Sequence, residues 1–144
     1  MALLKYVDLN NHPAGAKNPN LINQEIHYIL NPHKMYHNYW GGCNFIIADI
    51  DDVIMQFKAV KNVYQKENYV QLRHFVLSFS PDYDIVNSYQ ANCIAYEVCE
   101  SFHDYHQMIF AVHENKEHLH IHFLLNTISI LPSCLHSLFT LRLP

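Results

Sequence analysis

HENKEHLHIHFLLN, residues 113 to 126, is the stretch on which the reading of this chain turns. Side chains along a β-strand point alternately to its two faces. A strand over residues 118–128 therefore sends His118, His120 and His122 one way and Leu119, Ile121, Phe123 and Leu125 into a core. Neutral imidazole is the commonest metal ligand in proteins, and its ring nitrogen sits about 2.1 Å from a bound divalent ion. Rings at neighbouring same-face positions can meet that requirement. The Cα atoms of His118 and His122, roughly 13 Å apart at about 3.3 Å per residue, lie too far apart for all three to converge. Two adjacent strand histidines joined by His113, brought back by a short turn, make the better triad. A lone strand histidine is usually a surface accident, but histidines at alternate positions with a fourth upstream mark a ligand-bearing face. Zinc hydrolases use similar donors, so the triad alone names no reaction.

Outward from this strand, residues 108–112 read as a second strand, and 70–80, rich in Val, Phe and Leu and closed by Pro81, as a third. Between them, about 84–103 suits a helix packed on one side through Ile85, Tyr89, Ala95, Val98, Cys99 and Phe102. Residues 51–66 make an amphipathic helix with Asp51 and Asp52 in its first turn. Its buried stripe is Val53, Phe57, Val60 and Tyr64, while Lys58, Lys61 and Lys66 fall largely elsewhere. An earlier helix takes Asn18 as N-cap and Pro19 as first residue, repeats Ile22, Ile26, Ile29 and Leu30 at helical spacing, and stops at Pro32. Tyr28 lies beside that stripe. Residues 39–47 are a turn running into a strand, with Gly41 and Gly42 letting the backbone bend. Residues 2–7 are a short strand and 8–20 a polar loop. Strands and helices alternating at these lengths give an α/β or α+β sandwich.

With 144 residues, half of them hydrophobic and only 15% charged, the chain is long enough for one core and one compact domain. Nine basic residues against thirteen acidic ones leave a formal charge of −4, the wrong sign for a protein that grips phosphates by charge alone. A divalent cation held by some of the twelve histidines adds local positive charge that this count omits. Cys43, Cys93, Cys99 and Cys134 form no C-x-x-C pair and no signal peptide precedes them, so packing in a reduced cytoplasmic setting is expected. No apolar stretch reaches the length of a membrane span.

The segment from His113 to Asn126 resembles the signature of the relaxase/mobilisation nucleases, MobA/VirD2-like members of the HUH endonucleases. The superfamily is named for a histidine–hydrophobic–histidine motif, supplied here by His120, Ile121 and His122. The family segment commonly reads H-x-D-x-x-H-x-H-x-H before a strand ending in Asn. HYILNPHK, residues 27–34, is similar to the family's first motif, and RHFVLSFSP, residues 73–81, to the strand before its long central helix. The resemblance covers roughly residues 1–127 in the family's order. It implies an α+β fold, a central antiparallel sheet with the helices at about 51–66 and 84–103 packed on one face and the other face left open for DNA and metal.

The same resemblance assigns roles. Tyr28 is the expected nucleophile, with Tyr36 and Tyr39 as alternatives; His113, His120 and His122 are the expected metal triad, with His118 farther from its centre. His74, His118 or Glu117 would assist proton transfer and Lys34 would contact a DNA phosphate. The implied activity is DNA relaxation: nicking of single-stranded DNA at a transfer origin of a plasmid or mobile element by metal-assisted tyrosine transesterification. A 5′-phosphotyrosine results, with magnesium or manganese as the working ion, zinc or nickel also accepted by three imidazoles, and accessory mobilisation proteins as partners. The chain departs from the family at Asn115, where an acidic residue is usual and where Glu114 or Glu117 would substitute. It departs again after Asn126, where residues 128–144 form a divergent apolar tail that reads as a truncated or frameshifted end. Two other functions fit these features: an inactive remnant that binds metal or DNA, and a metal-dependent phosphoesterase.

Overall fold

The computed structural model describes residues 2–114 and 118–131. Five strands, β1 (Leu3–Val7), β2 (Trp40–Cys43), β3 (Leu72–Ser78), β4 (Met108–His113) and β5 (His120–Asn126), form one antiparallel sheet in the order β1-β3-β5-β4-β2. Helices α1 (Asn20–Ile29), α2 (Ile50–Val63) and α3 (Ser88–Glu100) cover it. The α+β class with a central antiparallel sheet is as expected.

The helices do not share one face. Val53, Ile54 and Phe57 of α2, with Leu21, Ile22, Ile26 and Ile29 of α1, pack on Leu72, Ile109, Ala111 and Leu124. Ala91, Ala95 and Cys99 of α3 pack on Phe75, Met108, Phe110, Val112, Ile121 and Phe123, which project from the opposite face. An amphipathic stripe shows that a helix is covered without showing on which side of the sheet it lies. The unbroken run Met108-Ile109-Phe110-Ala111-Val112 carried the missing information, because a strand buried on both faces loses its polar alternation.

Local chemistry sets the helix ends. Asp49 accepts a hydrogen bond from the Asp52 amide at 2.9 Å and starts α2. At α3, Asn87 and Gln90 make a reciprocal capping box, which places the start at Ser88 and leaves Ile85 outside the helix and exposed, with Tyr89 exposed in its first turn. At α1 the helix begins at Asn20 with Pro19 in the capping position, one residue later than expected, and Asn18 accepts from the Asn20 amide at 2.9 Å. Lys61 corrects the expected polar face of α2, being only 1% exposed. Its ammonium donates to the buried Asn126 Oδ1 at 2.8 Å, and Asn126 Nδ2 donates in turn to Phe57 O and Gln107 Oε1.

Strand β2 is shorter than expected, and its glycines do not bend it. A Cβ on Gly41 would run into the Tyr96 hydroxyl, and one on Gly42 into the Met108 carbonyl, so both allow close approach of α3 and β4. Cys43, Cys93 and Cys99 are free thiols. Cys134 and residues 132–144 of the expected tail lie outside the described residues, as do Asn115 and Glu117.

Candidate metal centre and its tyrosine

Antiparallel pairing sets His113 directly opposite His120, while His122 faces Ala111 on one side and Val76 on the other. All three imidazoles thereby leave the sheet on the side that α1 and α2 cover, at the end beyond Leu124. Each offers one ring nitrogen within 4.8 Å of the other two, so the trio is within reach of a single ion. All three are buried.

Each ring has one nitrogen committed to an outer partner. His113 Nε2 is 2.7 Å from the Ile29 carbonyl at the end of α1, His120 Nδ1 is 2.8 Å from the His118 carbonyl, and His122 Nδ1 is 2.8 Å from His74 Nε2. Outer contacts of this kind fix ring orientation and decide which nitrogen is left for a metal. His122 Nε2 is buried and has no hydrogen-bond partner among the described residues. Burial pushes the pKa of His113 down to about 4 and that of His122 to about 2, the other histidines adding to the effect at His122. Both rings are neutral donors at neutral pH. A buried unpartnered nitrogen among neutral imidazoles fits a divalent cation, which three imidazoles accept across a range of metals.

Behind His122 the structure places the expected auxiliary His74 together with Glu25 and His12, two residues that the sequence did not single out. His74 is buried on β3, and its Nδ1 lies 2.7 Å from Glu25 Oε2 of α1, a close contact without hydrogen-bond alignment. Glu25 Oε1 is 3.4 Å from His12 Nε2. The signal for Glu25 was its position: with Ile22, Ile26 and Ile29 at helical spacing around it, this carboxylate falls on the buried stripe of α1. A charge there needs a partner.

Tyr28, 41% exposed on α1, presents its ring edge-on to His122 at 5.6 Å between centroids and lies 6.3 Å from both His74 and His113. Lys34 Nζ sits 3.6 Å from the centre of the Tyr28 ring. Tyr36 and Tyr39 instead make ring contacts with His37, and Tyr39 also with Tyr89. His118 is exposed ahead of β5 and outside the cluster, contributing its carbonyl to His120. Glu114 turns away from the triad and accepts from the His37 amide at 3.0 Å and from Ser88 Oγ.

The antiparallel sheet thus gathers three histidines beside a half-exposed tyrosine. The sequence profile of the family described as "Relaxase: MobA/VirD2-like, nuclease domain" matches residues 28–139, and the chain belongs to that family. Two curated proteins of Staphylococcus aureus, each called "Protein rlx", are each 29% identical to it over 83 residues, or 58% of this chain. The match spans 26% of one relative and 25% of the other, so the chain corresponds to about a quarter of their length. No solved structure matches the chain significantly. Among the described residues no helix is long and apolar enough to cross a membrane.

Proposed function

We propose that this chain nicks one strand of single-stranded DNA at the transfer origin of a plasmid or mobile element, with Tyr28 as nucleophile and His113, His120 and His122 as ligands of a divalent ion. The observation that carries the reading is the edge-on approach of Tyr28 to His122, 5.6 Å between ring centroids, above three ring nitrogens within 4.8 Å of one another. When bound, magnesium or manganese supplies positive charge to the scissile phosphate and to the departing 3′ oxygen. The Tyr28 hydroxyl gives its proton to a base and its oxygen bonds to phosphorus as the bond to the 3′ oxygen breaks, and that oxygen takes up a proton and leaves as a 3′-hydroxyl. The phosphate remains on Tyr28 as a 5′-phosphotyrosine, which conserves the bond energy for rejoining. Lys34, already against the tyrosine ring, adds a cation beside the phosphate. His74 has one nitrogen on His122 and the other against Glu25, so it positions His122 and is poorly placed to carry a proton. His118 and Glu117 are the remaining candidates for proton transfer, with accessory mobilisation proteins as partners.

The test is denaturing electrophoresis of labelled single-stranded DNA incubated with the chain and manganese. A protein-linked band that vanishes in Tyr28→Phe while metal binding persists, and that falls together with metal binding in His120→Ala, is the expected result. A band surviving Tyr28→Phe moves the nucleophile to Tyr36 or Tyr39. DNA cut without any linked band favours a metal-dependent phosphoesterase. Binding without cutting under any divalent ion favours an inactive remnant, the reading that the charge of −4 supports.

A further inference from the structure

Beside the triad, four aromatic rings run in contact across the surface. Tyr36 meets His37 edge-on at 5.1 Å, His37 lies nearly parallel to Tyr39 at 5.6 Å and 17°, and Tyr39 meets Tyr89 of α3 at 6.4 Å. Tyr36 is 85% and Tyr89 62% exposed, so the rings at both ends of this ladder are open to solvent. Its middle is anchored. Glu114 accepts from the His37 amide at 3.0 Å, pairs with His37 Nδ1 at 2.8 Å and takes Ser88 Oγ, joining the loop to the first turn of α3. The Val112 amide donates to the Tyr39 carbonyl and the Glu114 amide to the Lys34 carbonyl, both at 2.9 Å. The ladder is thus tied to the end of β4, where Glu114 directly follows the triad residue His113.

We infer that the Tyr36–His37–Tyr39–Tyr89 ladder is a stacking platform for unpaired bases of single-stranded DNA next to the phosphate held at the triad. The inference rests on the nicking reading above and adds the part of the substrate that is gripped. Every base has a π-face, so aromatic stacking binds single strands with little sequence demand and without cations. That suits a chain with nine basic residues against thirteen acidic ones, in which phosphate pairing is scarce. A duplex hides its base faces and gains nothing from the ladder. Tyr36 and Tyr39 act here through their faces and need no reactive hydroxyl.

The measurement is fluorescence anisotropy of labelled oligothymidylate with the full chain in chelator, so that no strand is cut. Tyr36→Ala and Tyr89→Ala are each expected to weaken binding by roughly tenfold, and Tyr36→Phe to recover most of the loss. Tyr69→Ala, a control at an exposed tyrosine outside the ladder, should leave affinity unchanged. An abasic strand should bind the unmodified chain as weakly as oligothymidylate binds the alanine variants, with an unaltered salt slope. Alanine variants that bind like the unmodified chain, equal affinity for abasic strand or duplex, or no binding by the unmodified chain would each overturn the inference. The linked band on Tyr28 is scored in parallel at saturating DNA with manganese. A band with no stacking effect removes the ladder alone, and a stacking effect with no band removes the nicking reading alone.

Discussion

The two faces of the sheet are built from the same strands and follow opposite rules. Toward α3 the side chains are apolar and interchangeable in kind: Ala91, Ala95 and Cys99 against Met108, Phe110, Val112, Ile121 and Phe123, with Phe75 stacked on Phe123 at 4.8 Å and 13°. Toward α1 and α2 the core residues Ile109, Ala111 and Leu124 share their rows with His113, His122 and Asn126, while Glu25, Lys61 and His74 are buried near them. Burying polar groups costs free energy that partners only partly return. The α3 face therefore supplies stability that the histidine face spends, and it can do so because its packing is non-directional.

The sharpest way to break this division is Phe110→Ala, which empties a fully buried site on the α3 face. It should cost about 3–5 kcal/mol in urea unfolding, while metal titration of the protein that remains folded gives the unmodified affinity. A lower affinity in the folded fraction would show that the faces are coupled.

Next is Lys61, whose burial lowers its pKa to about 8. Below that pH both folded and unfolded chains hold the proton and the burial cost is present in full. Between pH 8 and about 10.4 the unfolded chain binds more protons, so stability should rise with pH, by about 3 kcal/mol across the window. Urea midpoints of Lys61→Met should lack this rise; a parallel profile would mean that the ammonium is solvated and the face less polar than described.

The smallest of the three effects comes from the metal. An ion at a hundredfold excess over its Kd should stabilise the folded chain by about 2.7 kcal/mol. Differential scanning should find that increment in Phe110→Ala and not in His120→Ala. Its loss in Phe110→Ala would again couple the faces.

The strands and helices that carry most burial were legible, because period and punctuation are local: β3 and β5 fall within their expected ranges, while α2 begins one residue before its range and β4 ends one residue past its own. His113, His120 and His122 were also legible as a group, since β-alternation fixes which residues share a face and a short return brings His113 opposite His120. The pattern could not say that α3 lies across the sheet from α2, which depends on the path of the chain between elements. Nor did it show Glu25, His12 or the burial of Lys61, whose partners are distant in sequence; Asn126, for example, lies 65 residues from Lys61. Charged residues on an amphipathic helix look solvated until the opposing surface is known. Gly41 and Gly42 were misread for the same reason, their constraint being set by Tyr96 and Met108.

The opposite character of the two faces of β5 bears on how the chain finds its fold. Slipping β5 by one residue against β3 and β4 would turn His120 and His122 toward Ala91, Ala95 and Cys99 and push Ile121 and Phe123 into the triad's place. Three imidazoles converge in only one of those alignments. A divalent ion present during refolding would bind that alignment and no other, so the centre would select strand register while the chain folds.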